Sequence, residues 1–378
     1  MKRFIFAFAA VFILTAAVMY IFPANCEENE ETIDCPFVLM ETGTGIVIKE
    51  QRGNERVSQG SLTKLMTVLI AAEEMEQGKF SADTVINIGD EVSGTSGAVV
   101  WLRPGDSMTA DELLRSVIIG NANDAAAVLA VYIGKSEKEF VRMMNARAFE
   151  LGMRDTVYKD CSGMSGGGYT TAHDVSLLSC ELLKHEQLRK YFTSWTDKVR
   201  DGQTELVNEN RLVRTYDGIT GLKAGSIGGR EYFLVLTAER NGISFAAVLL
   251  GCDDKDKRFS YGKKLLSEGF SSYKITAPEF AAEFLRPVEV HGGIESAVMI
   301  GAESLKELVV PKYSGELSAS VLIPQYVDAP VKKGQRIGVA GFYNGDTLLF
   351  ETALVAQQTV DKVDFVHGIG KSLDILYK

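Results

Sequence analysis

Histidine is scarce, with four in 378 residues. His173, His185, His291 and His367 show neither H-x-x-x-H nor H-E-x-x-H spacing, which argues against a metallopeptidase centre carried on one helix. The five cysteines, Cys26, Cys35, Cys161, Cys180 and Cys252, form no C-x-x-C pair, so neither a metal knuckle nor a disulfide framework is expected. Cys180 and Cys252 sit in apolar runs and read as free buried thiols. The basic residues cluster nowhere beyond the first three positions and the formal net charge is −10, leaving no electrostatic footprint for nucleic acid. The glycine-rich run Gly225-Ser226-Ile227-Gly228-Gly229 lacks both a G-K-[ST] end and dinucleotide spacing, and reads as a loop rather than a phosphate cradle. No internal repeat or low-complexity tract occurs, and no cofactor is implied.

Hydrophobic residues make up 46% of the chain, enough to bury one large core and a second, smaller one. Residues 1–25 stand apart. Lys2 and Arg3 lead into an apolar run from Phe4 to Phe22, and Pro23-Ala24-Asn25-Cys26 then gives way to the acidic stretch Glu27 to Glu31. This pattern is an export signal, which places the rest of the chain outside the cytoplasm. The run is also nearly long enough to span a bilayer, so cleavage near Ala24 or Cys26 and retention as an anchor both stay open.

Phe37 to Met40 and Gly45 to Ile48 flank a short turn and read as two strands. From Ser61 to Gln77 the period becomes helical, with Leu62, Leu65, Met66, Leu69 and Ile70 in phase and Gly78 as the stop. Thr109-Ala110-Asp111-Glu112 and Ser136-Glu137-Lys138-Glu139 fit the capping-box pattern, and a further helix is expected over Asp124 to Ile133. Tyr232 to Ala238 and Ile243 to Leu250 bracket Asn241-Gly242, a strong hairpin signal. After Pro278 the texture is all β, in short runs such as Ala297 to Ile300, Leu308 to Val310, Ser318 to Ile323 and Ile337 to Ala340. Phe365, Ile369, Leu373 and Leu376 put an amphipathic face on residues 361–378, fit to rest on a membrane surface or to pack on its own domain.

A serine three residues before a lysine at a helix start places hydroxyl and amine about one turn apart, and Ser61-Leu62-Thr63-Lys64 does this. Serine needs a base at neutral pH, and a lysine serves when burial and a second cation favour its neutral form. Two further segments follow in order: Gly120-Asn121-Ala122-Asn123-Asp124-Ala125 between helices, and Gly221-Leu222-Lys223-Ala224-Gly225-Ser226 before the hairpin. The set resembles the S-x-x-K, S-x-N and K-T-G motifs of the penicillin-recognising serine enzymes. With Gly97 to Gly105 and Tyr169 to Asp174, it is similar to the low-molecular-mass D-alanyl-D-alanine carboxypeptidases over roughly Phe37 to Lys274.

The resemblance implies an α+β chain: a β-lactamase/transpeptidase-like domain (34–275) with an antiparallel sheet flanked by helices, then a small all-β domain (279–360). It implies that Ser61 is acylated by the penultimate D-Ala of a peptidoglycan stem peptide, with Lys64 as general base and Asn123 orienting the substrate amide. Lys223, Gly225, Ser226, Asn121 and Ala224 are the implied substrate-binding positions, with the N–H groups of Ser61 and Ser226 as oxyanion hole. β-Lactams are the implied covalent inhibitors, and the membrane surface the implied location. Two positions depart from the family: its motif serine is Asn121 here and its K-T-G threonine is Ala224. An amide cannot relay a proton. Losing the threonine hydroxyl removes roughly 1.5–3 kcal/mol of hydrogen bonding to a carboxylate, or about 10- to 150-fold. The departures point to a weak or specialised enzyme, with a non-enzymatic cell-wall-binding protein as the alternative. A serine β-lactamase would share the acylation but needs an added group to activate the deacylating water, in one class a glutamate, and no segment here supplies it. Gly163-Met164-Ser165-Gly166-Gly167 matches the nucleophile elbow G-x-S-x-G, but its glycines would break the helix an elbow requires, so a loop is expected.

Overall fold

The computed structural model describes residues 32–280, 282–313 and 317–364. The expected export segment and the amphipathic positions of the tail lie outside these residues. No described helix is long and apolar enough to cross a membrane.

Five strands form one antiparallel sheet: β1 (Phe37–Glu41), β2 (Val47–Gln51), β3 (Ile219–Ile227), β4 (Glu231–Arg240) and β5 (Ile243–Cys252). Their order is β2-β1-β5-β4-β3, so the N-terminal strands join the C-terminal hairpin on its far side. The β4–β5 turn uses Asn241 and Gly242 with φ of 51° and 79°, the left-handed pair that a tight hairpin turn demands. Alternation then sorts the side chains. Val38, Met40, Phe233, Val235, Val248 and Leu250 enter the large core on one face.

The described residues form seven α-helices in chain order: α1 (Thr63–Glu76), α2 (Ala110–Ile118), α3 (Asn123–Gly134), α4 (Glu137–Glu150), α5 (Ala172–Leu182), α6 (Glu186–Phe192) and α7 (Lys257–Ser272). All but α7 supply residues to that core. Helix α7 lies on the sheet's opposite face, where Gly262 and Gly269 give room for Leu236 and Phe245. Helix α1 is buried on every side from Thr63 to Ala72. It is a core helix rather than an amphipathic one, and a polar group placed on it is carried into the interior.

The Thr109 capping box forms as expected. At Ser136 only half of it forms, because the Glu139 carboxylate turns to its i+3 neighbour Arg142 at 2.6 Å instead of back to the cap. The cysteine expectation fails at Cys252, which forms a disulfide with Cys35 across 217 residues. The cause is topological: β1 and β5 are neighbours with Phe37 opposite Leu249, so the start of one strand meets the end of the other. Among the described cysteines, Cys161 and Cys180 are free.

Beyond α7 the chain is β-rich. Strand β6 (Tyr273–Thr276) follows the helix directly and pairs with β7 (Leu308–Pro311), and the Lys312 ammonium donates to the Phe270 carbonyl at 2.6 Å. The rest comprises a four-stranded and a three-stranded sheet around Val290, Val298, Ile300 and Leu354. The all-β expectation for this region is met.

Candidate active site

Ser61 sits in a single 3-10 turn (Gly60–Leu62) that feeds α1. Its Oγ is buried and has no hydrogen-bond partner among the described residues. Lys64, one turn on, is 2% exposed, and its Nζ donates to the Ser162 carbonyl at 2.9 Å. Burial, reinforced by the nearby Lys223 charge, lowers the Lys64 pKa to about 7. A substantial fraction of the amine is therefore neutral near pH 7, as a general base must be.

The Ser162 carbonyl is held by a loop wound about one carboxylate. Asp160 accepts backbone N–H groups from Ser162 at 2.7 Å, Ser165 at 2.7 Å, Met164 at 3.3 Å and Gly163. Burial alone would raise this carboxyl, but the amide donors outweigh it and hold the group below its ordinary range. Thr67 ties the same loop to α1 by donating to the Cys161 carbonyl at 2.6 Å. Ser165 is an exposed member of this loop, with no strand immediately before it or helix immediately after, so the loop expectation for the rival G-x-S-x-G segment holds.

The second segment enters at the head of α3. Asn121 has φ 57° and points its amide across the cleft, while Asn123 donates from Nδ2 to the Ser96 carbonyl at 2.6 Å. Asp124 receives the Val100 and Leu102 amides at 3.1 Å, which clamps the loop running from Gly97 toward Gly105. Trp101 on that loop is exposed, and Tyr169 stacks under Arg56. Neither lines the cleft.

The third segment is β3, the sheet's edge strand. Lys223 is buried, and its Nζ donates to Asn121 Oδ1 at 2.7 Å. Burial lowers its pKa to about 8, with Glu209 pulling the other way. Gly225 passes so close to Ser61 that a Cβ there would lie 2.9 Å from its Oγ. Arg258 on α7 donates to the Gly225 carbonyl and, at 2.9 Å, to that of Phe233, which fixes the strand from behind. Ser226 is exposed on the cleft wall, whereas Ala224 is buried and does not line it.

These segments bound a cleft of about 520 Å³ to which Ser61, Lys64, Asn121, Asn123 and Ser226 contribute directly. The structure thus brings the three sequence motifs to one place. Asp160, Ser162 and Glu209 were not foreseen. They carry no motif of their own and reach the site only through the fold.

A buried, unpartnered serine hydroxyl and a buried lysine at the head of a core helix, beside an edge strand, are the arrangement expected of a serine peptidase of the penicillin-binding type. The family model described as D-alanyl-D-alanine carboxypeptidase matches residues 25–254, and that for the penicillin-binding protein 5 C-terminal domain matches 279–362. The chain belongs to the D-alanyl-D-alanine carboxypeptidase family, serine hydrolases that act on peptidoglycan.

The Bacillus subtilis D-alanyl-D-alanine carboxypeptidase DacF is 29% identical over 342 residues, covering 89% of this chain and 88% of the relative. The crystal structure of the carboxypeptidase DacD from Francisella tularensis is 26% identical with a TM-score of 0.70, covering 91% of this chain and 96% of that one. The ampicillin-bound form of penicillin-binding protein D2 from Listeria monocytogenes is 25% identical with a TM-score of 0.57, covering 62% of this chain and 96% of that one.

Proposed function

We propose that Ser61 is the nucleophile and Lys64 the base that activates it. The observation that carries this reading is the buried Lys64 amine, with a pKa near 7, one helical turn from the unpartnered Ser61 Oγ under an open cleft. Neutral Lys64 takes the Oγ proton as Oγ attacks the carbonyl of the penultimate D-Ala, and the N–H groups of Ser61 and Ser226 hold the oxyanion. The same proton then passes from Lys64 to the nitrogen of the departing D-Ala, because the Asn121 amide cannot relay it. Water attacks the ester, and the shortened peptide leaves. Asn123 orients the substrate amide, and Lys223 with Ser226 attracts the terminal carboxylate.

With Asn121 and Ala224 in the motifs, turnover is slow but the acyl-enzyme forms. β-Lactams acylate the same oxygen, a reading supported by the ampicillin-bound relative. The protein works outside the cytoplasm at the membrane surface, held by residues 1–25, by the tail or by both, a reading that rests on the apolar run from Phe4 to Phe22 and on the tail pattern.

The test is intact-mass analysis over time of protein from Glu27 onward with a penicillin, beside Ser61→Ala. A lasting adduct on the unaltered protein and none on Ser61→Ala is expected. Drug turnover without a lasting adduct would make it a β-lactamase, and no adduct on folded protein would leave only cell-wall binding.

A further inference from the structure

Of the described residues that line the cleft, two carry a charge: Lys64 and Glu209. Glu209 is an acid on the side where the proposed substrate's terminal carboxylate would lie. Its backbone is fixed by two buried asparagines. Asn208 donates from its amide N–H to the Trp195 carbonyl at 2.9 Å and from Nδ2 to the Ser194 carbonyl at 3.0 Å. Asn208 Oδ1 accepts the Asn210 N–H at 2.9 Å, and Asn210 Oδ1 accepts the Leu212 N–H at 3.2 Å. Between these anchors the Glu209 side chain is exposed to the cleft.

Asn121 connects this acid to the buried lysine. Its Nδ2 donates to Glu209 Oε1 at 3.3 Å while its Oδ1 accepts from Lys223 Nζ at 2.7 Å. A carboxylate only accepts and an ammonium only donates, so the two neighbours fix which way the amide faces. The remaining charges are committed elsewhere. Asp160 is capped by backbone amides, Arg258 spends its donors on the Gly225 and Phe233 carbonyls, and Lys64 donates to the Ser162 carbonyl. The negative charge of Glu209 favours the protonated forms of Lys64, Lys223 and Arg258 alike, so its field spans the site.

Resting on the reading given above, we infer that Glu209 is a specificity-determining residue: it offsets the Lys223 charge through Asn121 and so weakens the cleft's preference for a peptide ending in a free carboxylate. The acyl donors it admits relatively better are those whose group beyond the scissile bond ends in a neutral amide. Glu209→Gln isolates the effect, because the new amide oxygen still accepts from Asn121 and only the charge is lost.

The experiment is a binding measurement, independent of turnover, in Ser61→Ala protein with and without Glu209→Gln. The ligands are diacetyl-L-lysyl-D-alanyl-D-alanine and its C-terminal carboxamide. Removing a partly screened charge at this range is expected to tighten the carboxylate peptide about threefold to tenfold and to leave the carboxamide unchanged. The gain should shrink at about 0.5 M salt. Equal changes for both ligands would mark Glu209 as merely structural, and no change, or no measurable carboxylate-peptide binding even in the variant, would equally overturn the inference. Failure of the Ser61 reading is seen separately, as absence of the penicillin adduct.

Discussion

Gly163 lies so tightly against Gly60 that a Cβ built on it would fall 1.8 Å from the Gly60 carbonyl oxygen. Through this contact the loop around Asp160 is pressed onto the turn that presents Ser61.

Replacing Gly163 by alanine therefore adds a backbone clash to the strain of a φ of +86°. Gly166→Ala is the matched control, since Gly166 has φ +71° but nothing within 4 Å of its Cβ position. Gly163→Ala should lose about 1–3 kcal/mol of stability and slow penicillin acylation at least tenfold. Gly166→Ala should show only the strain cost. Thermal melts and acylation rates that fail to separate the two variants would contradict the contact's role.

The rate of Ser61 acylation should trace a narrow bell against pH. Lys64 acts as a base only when deprotonated, so the rate rises through about pH 7. Lys223 supplies charge only when protonated, so the rate falls through about pH 8. Lys223→Arg keeps its charge at higher pH and should remove the alkaline limb. A profile that is flat from about pH 6 to 9 would exclude Lys64 as the base.

Folding stability should carry the same signature. Each lysine has a lower pKa folded than unfolded, so the unfolded chain binds more protons from about pH 7 up to the ordinary lysine value of 10.5, and stability rises with pH across that window. Lys64→Met should flatten the rise in denaturant titrations. An unchanged slope would mean that burial does not perturb Lys64.

Cys252→Ser should cost about 2–4 kcal/mol, because the Cys35–Cys252 bridge closes a long loop in the unfolded chain. Reductant should lower the melting temperature of the unaltered protein to that of the variant and leave the variant's own unmoved. A melting temperature insensitive to reductant would show that the bridge does not form in solution.

What the sequence displayed was local. Ser61 and Lys64 are three residues apart across the 3-10 turn and the first turn of α1, Asn241-Gly242 specifies its own turn, and Thr109 finds Glu112 within a single helical turn. Each relationship is completed inside a few residues, so spacing and residue type were sufficient. Ser162 and Glu209 act through partners brought near by the fold, up to 98 residues away for Ser162 and Lys64, and nothing in their immediate neighbours announces it; Asp160 gathers amides within five residues of itself, but the loop it winds meets Lys64 only through the fold. Cys252 was misread for the same reason: an apolar run explains a buried thiol, and only the pairing of β1 with β5 shows that another sulfur waits there.

Strand β6 begins where α7 ends, and its ladder to β7 leaves no slack between them. A connection made of strand hydrogen bonds transmits torque, whereas a glycine-rich tether would let the parts swivel. The bearing of this part of the β-rich region on α7 is therefore set by backbone hydrogen bonds, closed further by the Lys312 ammonium on the Phe270 carbonyl, and not by a tether free to turn.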